Sequence, residues 1–253
     1  MTEAIVGAEE APGALRASSV VRRFTGIQAL RGVTLALHAH EVVGLIGPNG
    51  AGKSTLVNVL SGFDLPTSGT VELDGRDITR WSPQRRARAG IARTFQHSRS
   101  FRGLTVRENI EVAALGAGTR PGDARSVTSE LIHRLGLNED AVAGALPHGH
   151  ERLLGVARAL AIRPSFVLLD EPGAGLPEAE VRDLADVVTA IVNDFGVGVL
   201  LIDHNMALIM EVCDRIHVLD QGATIAEGTP AEIRANLDVT AAYLGESALA
   251  EAS

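Results

Sequence analysis

Apolar and polar residues alternate in two stretches near the start of the chain, at 33–37 and 71–73. Alternation of period two predicts half-buried strands of an antiparallel sheet, and Asp74-Gly75 predicts a turn after the second strand. Continuous apolar runs are instead typical of parallel strands that helices cover on both faces. These runs are Val42–Ile46, 166–169 and 197–202.

Helical patterns separate the continuous runs, at about 53–62, 150–162, 178–194 and 205–213. Apolar runs that alternate with helices predict an α/β fold with a central, mostly parallel sheet, preceded by an antiparallel β subdomain. Near the end, Gln221-Gly222 between apolar segments predicts a hairpin of 216–219 and 223–226. Thr229, Pro230 and Glu232 then predict the start of a short helix.

The middle of the chain, about 97–146, has no strand-like run. Thr105 and Glu108 form a capping-box pattern that predicts a helix to about Leu115, and Leu131 and Leu135 indicate a second helix. We therefore predict a small helical insertion. The predicted organisation is a tail at 1–14, one domain at 15–245 that contains the insertion, and a tail at 246–253.

Composition limits the class of protein. The chain has 253 residues, of which 45% are hydrophobic and 21% charged, which excludes a disordered chain or a disulfide-stapled mini-protein. The net charge of −8 argues against a surface made for nucleic acid or anionic lipid. A lone cysteine, Cys213, favours a reducing compartment. We expect no export signal in the acidic start and no membrane span, so a membrane role requires a partner.

Lysine occurs once, at position 53, among 23 basic residues that are otherwise arginine. A compact ammonium on a flexible stem can enter a crowded phosphate site that a planar guanidinium cannot enter. The position of this lysine is therefore informative.

Lys53 lies in a glycine-rich segment between the run Val42–Ile46 and a helical pattern, as the P-loop motif requires. Inward-facing amides and the helix dipole would bind a triphosphate there. Lys53 would reach the β- and γ-phosphates, Ser54 would bind Mg²⁺, and Thr55 would lie near the α-phosphate. The predicted nucleotide-binding residues are Gly47, Pro48, Asn49, Gly50, Ala51, Gly52, Lys53, Ser54 and Thr55.

Two adjacent carboxylates, Asp170 and Glu171, follow the buried run 166–169. Asp170 is predicted to hold Mg²⁺, and Glu171 to act as the general base on the attacking water. A plain strand end with solvated carboxylates is the alternative, and the P-loop makes it the weaker one.

With these motifs the sequence resembles the ATP-binding cassette (ABC) family, the nucleotide-hydrolysing subunits of membrane transporters. The resemblance covers about 15–245. It assigns Gln96 to the Q-loop glutamine that contacts Mg²⁺ and water, 172–177 to the D-loop, and His204 to the switch histidine at the γ-phosphate. It also assigns Phe24 to the aromatic under adenine, with core filling as the alternative.

Within that family three segments are similar to the ATP-binding subunits of branched-chain amino acid importers. They are 44–49, 93–96 and 238–245. The resemblance implies ATP and Mg²⁺ as ligands, permease subunits and a second ATP-binding subunit as partners, and a solute-binding protein indirectly. It also implies a peripheral location at the cytoplasmic face of the plasma membrane.

The family signature Leu-Ser-Gly-Gly-Gln is altered here, because only Leu146 and Gly149 are kept. Pro147 lacks the serine hydroxyl that serves the opposite subunit's nucleotide, so that donor is lost. His150 is a candidate donor in place of the signature glutamine. The loss favours a heterodimer with an intact partner signature over a homodimer. A metal site at His148 and His150 lacks a further ligand and is disfavoured.

Eight arginines lie between 80 and 107 with few acids among them. They predict either a solvated face or a contact surface for the permease. They are Arg80, Arg85, Arg86, Arg88, Arg93, Arg99, Arg102 and Arg107. The low aromatic content disfavours a nucleic-acid groove.

Two other functions remain open at the level of sequence. A soluble ABC ATPase of translation or DNA repair usually has two cassettes or a long coiled coil, and this chain has neither. A nucleotide-gated interaction protein with weak hydrolysis fits the altered signature but not the retained Glu171, Gln96 and His204.

Overall fold

The computed structural model describes residues 13–94 and 100–242. Gln96 and Arg99, most of the predicted N-terminal tail, the tail 246–253 and the last three residues of 238–245 lie outside these ranges. Within them the strands are β1 (Ala14–Phe24), β2 (Ile27–His38), β3 (Val42–Ile46), β4 (Ser68–Leu73), β5 (Arg76–Asp77), β6 (Ile91–Arg93), β7 (Phe166–Asp170), β8 (Gly198–Ile202), β9 (Arg215–Asp220) and β10 (Ala223–Gly228).

The helices of the same ranges fall between the strands as the α/β pattern predicts. They are α1 (Lys53–Ser61), α2 (Pro83–Arg88), α3 (Val106–Gly116), α4 (Pro121–Arg134), a 3₁₀ turn (Ala143–Ala145), α5 (His148–Leu160), α6 (Glu178–Phe195), α7 (Met206–Val212) and α8 (Pro230–Ala235). None of the helices within 13–94 and 100–242 is long and apolar enough to cross a bilayer.

Two sheets organise the fold. The first is antiparallel, in the order β2-β1-β4-β5. The second has the order β10-β9-β3-β8-β7-β6, and its strands from β9 to β6 are parallel. Only β10 is antiparallel, paired with β9 through the predicted hairpin. The predicted fold class, with its parallel core, antiparallel subdomain and helical insertion, is confirmed.

The parallel strands are buried on both faces, as their continuous apolar runs predict. Val43 and Leu45 pack with α1 and with the antiparallel sheet, so α1 lies in the core between the two sheets. Val42 and Ile46 point to the other face, into a core shared with α3 to α7. Both ends of the P-loop segment are therefore anchored in a packed core.

The first strand, β1, is the main element absent from the sequence prediction. It lies between the two predicted antiparallel strands: Leu15 faces Leu37 of β2 on one side and Leu73 of β4 on the other. Ala14, assigned to the N-terminal tail by the sequence, already belongs to this strand. The short β6 and α2 were also not predicted.

The helical insertion lies between β6 and β7. α3 begins with the predicted capping box, in which Glu108 N donates to Thr105 Oγ1 at 3.2 Å and Thr105 N donates to Glu108 Oε2 at 2.8 Å. The same reciprocal bonds between Thr229 and Glu232 open α8. Both helix starts were predicted because a capping box is a local signal.

Arg86 of α2 corrects the prediction of a basic surface at 80–107. Its side chain is fully buried and donates four hydrogen bonds of 2.6–2.9 Å to the carbonyls of Val59, Leu60, Ile78 and Thr79. These bonds join the end of α1 to the segment before α2. The Val59 and Ile78 carbonyls also accept from the amides of Gly62 at 3.3 Å and Trp81 at 2.9 Å. Burial lowers the pKa of this guanidinium to about 10, so Arg86 stays charged at neutral pH.

Arg93 is the second arginine of this stretch that does not lie at the surface. Only 10% of its side chain is exposed, and it pairs with Asp170. Arg107 is half-buried and pairs with Glu111 and Glu139. Of the described arginines in that series, the exposed ones are Arg80, Arg85, Arg88 and Arg102. Only part of the stretch 80–107 can therefore belong to a solvated face or to a contact surface.

Replacing Arg86 by methionine should lower the free energy of unfolding by about 3 kcal/mol, because four buried charge-assisted hydrogen bonds are lost and only the Val59 and Ile78 carbonyls keep a backbone donor. The exposed neighbour Arg85, which stacks on Trp81 at 3.9 Å, is the matched control, and Arg85→Met should cost less than about 1 kcal/mol. Urea unfolding of the two variants measures both values. Equal losses would contradict the role given to Arg86.

Candidate active site

The P-loop segment turns back between β3 and α1 through glycines with positive φ. At Gly47 (φ 148°) a Cβ would lie 2.0 Å from the carbonyl oxygen of Leu219, and at Gly52 (φ 105°) it would lie 2.6 Å from that of Ala29. Only glycine fits these close approaches. Gly52 is the N-cap of α1 and gives it no side-chain cap, which is typical of a helix start that binds an anion through backbone amides.

Lys53 lies inside this loop. Its side chain is 7% exposed, and its Nζ donates to the carbonyls of Gly47 at 2.5 Å and Pro48 at 3.0 Å. The ammonium is thus held against the first two residues of the loop. The neighbouring Ser54 is exposed, with its hydroxyl at the start of α1. Amides, one ammonium and one hydroxyl form a donor set that fits the triphosphate and Mg²⁺ of a nucleotide.

Asp170 ends β7, at the same edge of the sheet as the loop that follows β3, because the two strands are parallel. Its Oδ2 accepts a hydrogen bond from Arg93 at 2.8 Å, and its amide donates to Thr94 Oγ1 at 3.2 Å. The carboxylate is 12% exposed. A hydroxyl and a carboxylate at one sheet edge are hard oxygen ligands of the kind that Mg²⁺ prefers.

Glu171 contacts different neighbours from Asp170. Its Oε1 lies 3.2 Å from Nε2 of His204, which follows β8, the strand between β3 and β7. The Glu171 backbone has φ of 51°, an uncommon value for a residue with a side chain, and its amide donates to Ile202 at 2.8 Å. The two carboxylates can therefore have separate roles: Asp170 can bind a metal ion, and Glu171 can accept a proton from water.

Two residues that hold this edge together were not predicted. Asp203, 3% exposed, accepts from the amides of Gly173 at 2.7 Å and Asn205 at 2.8 Å, which ties the predicted D-loop to the segment that carries His204. Arg152 of α5 donates to the carbonyls of Glu171 and Pro172, both at 2.7 Å. The sequence signal that could have identified Asp203 is the apolar run before it, the same signal that predicted Asp170.

Phe24, Pro147 and His148 lie at the surface, whereas Pro48 and Ala51 of the P-loop segment are buried. Phe24, at the end of β1, is 45% exposed with the Arg22 guanidinium 4.4 Å from its ring centre, so the core-filling alternative is wrong. In the altered signature, Pro147 is the N-cap of α5 and gives that helix no side-chain cap. His148 is 90% exposed. Gln96 lies outside the described residues, so its place stays a prediction.

A cavity of about 410 Å³ opens between the parallel sheet and the helical insertion. Its wall includes Phe63, Arg93 and Ala113 on one side and reaches Asp170 and Glu171. Arg158 also lines it, and burial lowers the pKa of that guanidinium. The cavity thus lies directly beside the two carboxylates.

Comparison with protein families gives two matches. The profile of the family described as "ABC transporter" matches residues 30–174, and that of "Branched-chain amino acid ATP-binding cassette transporter" matches residues 223–248.

Relatives align along nearly the whole chain. LivG, a high-affinity branched-chain amino acid transport ATP-binding protein of Salmonella typhimurium, is 41% identical over 92% of this chain and 98% of its own length. BraF of Pseudomonas aeruginosa, of the same description, is 40% identical with the same coverage. LptB, the lipopolysaccharide export system ATP-binding protein of Haemophilus influenzae, is 36% identical over 92% of this chain and 97% of its own length.

Among solved structures, the ADP conformation of MJ1267, an ATP-binding cassette of an ABC transporter, superposes with a TM-score of 0.84. It is 29% identical and covers 93% of this chain and 100% of its own. A nucleotide-free cassette from an ABC transporter gives 0.83 at the same identity, with coverage of 90% and 98%. The solved neighbours thus have this fold and this topology.

A P-loop that opens α1, paired carboxylates after β7 and a helical insertion between β6 and β7 together define an ATP-binding cassette. With a family profile over more than half of its length and relatives at 40% identity, the chain belongs to the ABC transporter family and is an ATPase of that family. The predicted recognition and enzyme class are confirmed.

Replacing Lys53 by alanine should weaken ATP binding by at least about tenfold, since a charge-assisted hydrogen bond is lost from a nearly buried site. Lys53→Arg should be similarly weak, because a planar fork does not fit where the ammonium contacts two loop carbonyls. Isothermal calorimetry with ATP measures both, and Arg125→Ala, an exposed cation on α4, is the control. Unchanged affinity in Lys53→Ala would rule out this loop as the phosphate site.

Proposed function

We propose that this chain is the ATP-hydrolysing subunit of an importer for branched-chain or related amino acids. The observation that carries the catalytic part is the meeting of Lys53, Asp170, Glu171 and His204 at one edge of the parallel sheet. The cargo class is supported by the 40–41% identity to LivG and BraF and by the C-terminal match at 223–248.

Each residue has a defined task in this proposal. The amides of α1 and Lys53 bind the phosphate chain, and Thr55 lies beside the α-phosphate. Mg²⁺, when bound, neutralises charge on the β- and γ-phosphates. Ser54 and Asp170 hold that ion, with Gln96 as a further ligand. Phe24 supplies an exposed aromatic face for adenine.

Hydrolysis then needs a base and a group that orients it. Glu171 takes a proton from water as the water oxygen attacks the γ-phosphorus, and the bond to the leaving ADP oxygen breaks. His204 holds the Glu171 carboxylate by the 3.2 Å contact. In this proposal it also contacts the γ-phosphate when the nucleotide is bound. Arg152 fixes the backbone of Glu171 in its uncommon conformation.

The cavity beside these groups is the proposed docking place for the permease. Phe63 and Phe101 are half-exposed, at 53% and 48%, and Phe63 lines the cavity while Phe101 lies against Arg158 of its wall. A permease segment seated here would touch the wall that bears Asp170 and Glu171, which links the membrane subunits to hydrolysis. The chain would then work as a peripheral subunit at the cytoplasmic face of the plasma membrane.

The altered signature favours a heterodimer. At the start of α5, Pro147 offers neither a hydroxyl nor an N–H, so a nucleotide on the opposite subunit loses one donor. That loss weakens closure by about 1.5–3 kcal/mol per site. In a homodimer it affects both sites, whereas a partner with an intact signature completes the site formed by this chain's Lys53 and Glu171.

In the assembled transporter, Glu171→Gln should lower ATP turnover by about 10²–10⁴-fold with ATP binding retained, because only the base is removed. ATP-driven uptake of leucine, isoleucine or valine into proteoliposomes should stop with it. Glu178→Gln, on a side chain 87% exposed at the start of α6, is the control. Negligible turnover in both the unmodified protein and Glu171→Gln would favour the nucleotide-gated interaction protein, and turnover without uptake would favour a soluble ATPase. Substantial turnover that Glu171→Gln leaves unchanged would contradict the role of Glu171 as the base.

The chain purified alone should hydrolyse ATP slowly, and Pro147→Ser should raise that rate by about tenfold or more because it restores the missing donor. Pro121→Ser, at the first turn of α4, is the matched proline control. A steady-state phosphate-release assay measures the rates. Brisk turnover by the unmodified chain alone, with no gain in Pro147→Ser, would refute the heterodimer.

A further inference from the structure

Arg93 lies at the end of β6, where it meets two other elements of the site. One terminal nitrogen donates to Asp170 Oδ2 at 2.8 Å, and the other donates to Asn58 Oδ1 at 2.6 Å and to Ser61 Oγ at 3.2 Å. Side-chain exposure is 10% for Arg93 and 12% for Asp170, so water screens this pair little.

The two acceptors on α1 share a face with the proposed metal ligand. Ser54, Asn58 and Ser61 stand at i, i+4 and i+7 of one helix, which places them in a row along one side of it. Arg93 donates to Asn58 and Ser61, the two members of this row that lie farther from the start of α1, and also to Asp170. A rigid helix therefore connects the Arg93 guanidinium to the Ser54 hydroxyl.

We propose that Arg93 is a positioning residue that fixes the Asp170 carboxylate relative to Ser54, so that both reach one divalent cation on the nucleotide. The proposal rests on the proposed function, because it presupposes the magnesium–nucleotide site. Arg93 itself touches neither cation nor phosphate. It acts through the oxygen that it holds, which leaves the second carboxylate oxygen of Asp170 to face the ion.

The geometry requires a guanidinium. A planar fork with separate nitrogens bonds a carboxylate on one side and an amide oxygen on the other, whereas an ammonium is a point donor on a flexible stem. Arg93→Lys keeps the charge but loses the bridge between α1 and β7. Partners that orient metal ligands in this way typically change metal affinity by about 10–100-fold when altered.

The test measures how much Mg²⁺ tightens ATP binding to the full chain. Calorimetric titrations with ATP are run with Mg²⁺ and with EDTA, and the ratio of the two dissociation constants is the magnesium gain. Arg93→Lys should reduce the gain about tenfold and leave affinity in EDTA within about twofold. The control is Arg215→Lys, which alters another partly buried arginine with several acceptors, Glu41 and Ala36 among them.

A double-mutant cycle separates positioning from general damage. If Arg93 acts through Asp170, Arg93→Lys combined with Asp170→Asn should lose no more magnesium gain than Asp170→Asn alone. Losses that multiply, or a full magnesium gain in Arg93→Lys, would overturn the proposal. A wild-type chain with no magnesium gain at all would refute the proposed function as well, so the two failures are distinguishable.

A second variant covers the case in which Arg93→Lys does not fold. Asn58→Ala removes one anchor on α1 and leaves the ion pair with Asp170 in place. Like Arg93→Lys, it should lower the magnesium gain and leave the affinity for ATP in EDTA unchanged. An unchanged gain in Asn58→Ala would overturn the bridge to α1.

Discussion

The site depends on a backbone reversal between β3 and α1 that holds one ammonium, that of Lys53, against the carbonyls of Gly47 and Pro48. That reversal is possible only with glycine where the chain touches its neighbours, at Gly47 against Leu219 and at Gly52 against Ala29. Both neighbours belong to other strands or their connections, so the loop is supported from outside. An anion site made of backbone needs such support, because amides bind phosphate only while their directions are fixed.

The parallel sheet brings the rest of the chemistry to that loop. Asp170, Glu171 and His204 follow β7 and β8, whose carboxyl ends meet the loop at one edge. Contacts between loops then set the side chains: Asp203 ties the D-loop down, and Arg152 brings the first turns of α5 to the Glu171 backbone. The helix that carries the altered signature and the residue proposed as the base, Glu171, are thus physically connected within one chain.

Local signals in the sequence predicted much of this arrangement. The continuous runs predicted β3, β7 and β8, and capping boxes predicted α3 and α8, because each signal lies within a few residues. β1 escaped prediction because its alternation breaks at Ser18 and Ser19, where the strand shifts register and Ser19 has φ of 47°. The burial of Arg86 depends on carbonyls that only the folded chain brings together. The Arg93–Asp170 pair joins residues 77 positions apart, so no pattern along the chain marks it.

The central claim is that the phosphate chain, held by backbone amides and Lys53, supplies the affinity of this protein for its nucleotide. Calorimetric titration of the chain with ATP and with adenosine, both in Mg²⁺, tests it most directly. The account predicts that ATP binds at least about a hundredfold more tightly than adenosine, since only ATP engages the charge-assisted contacts of the loop. Equal affinities for the two ligands would contradict it.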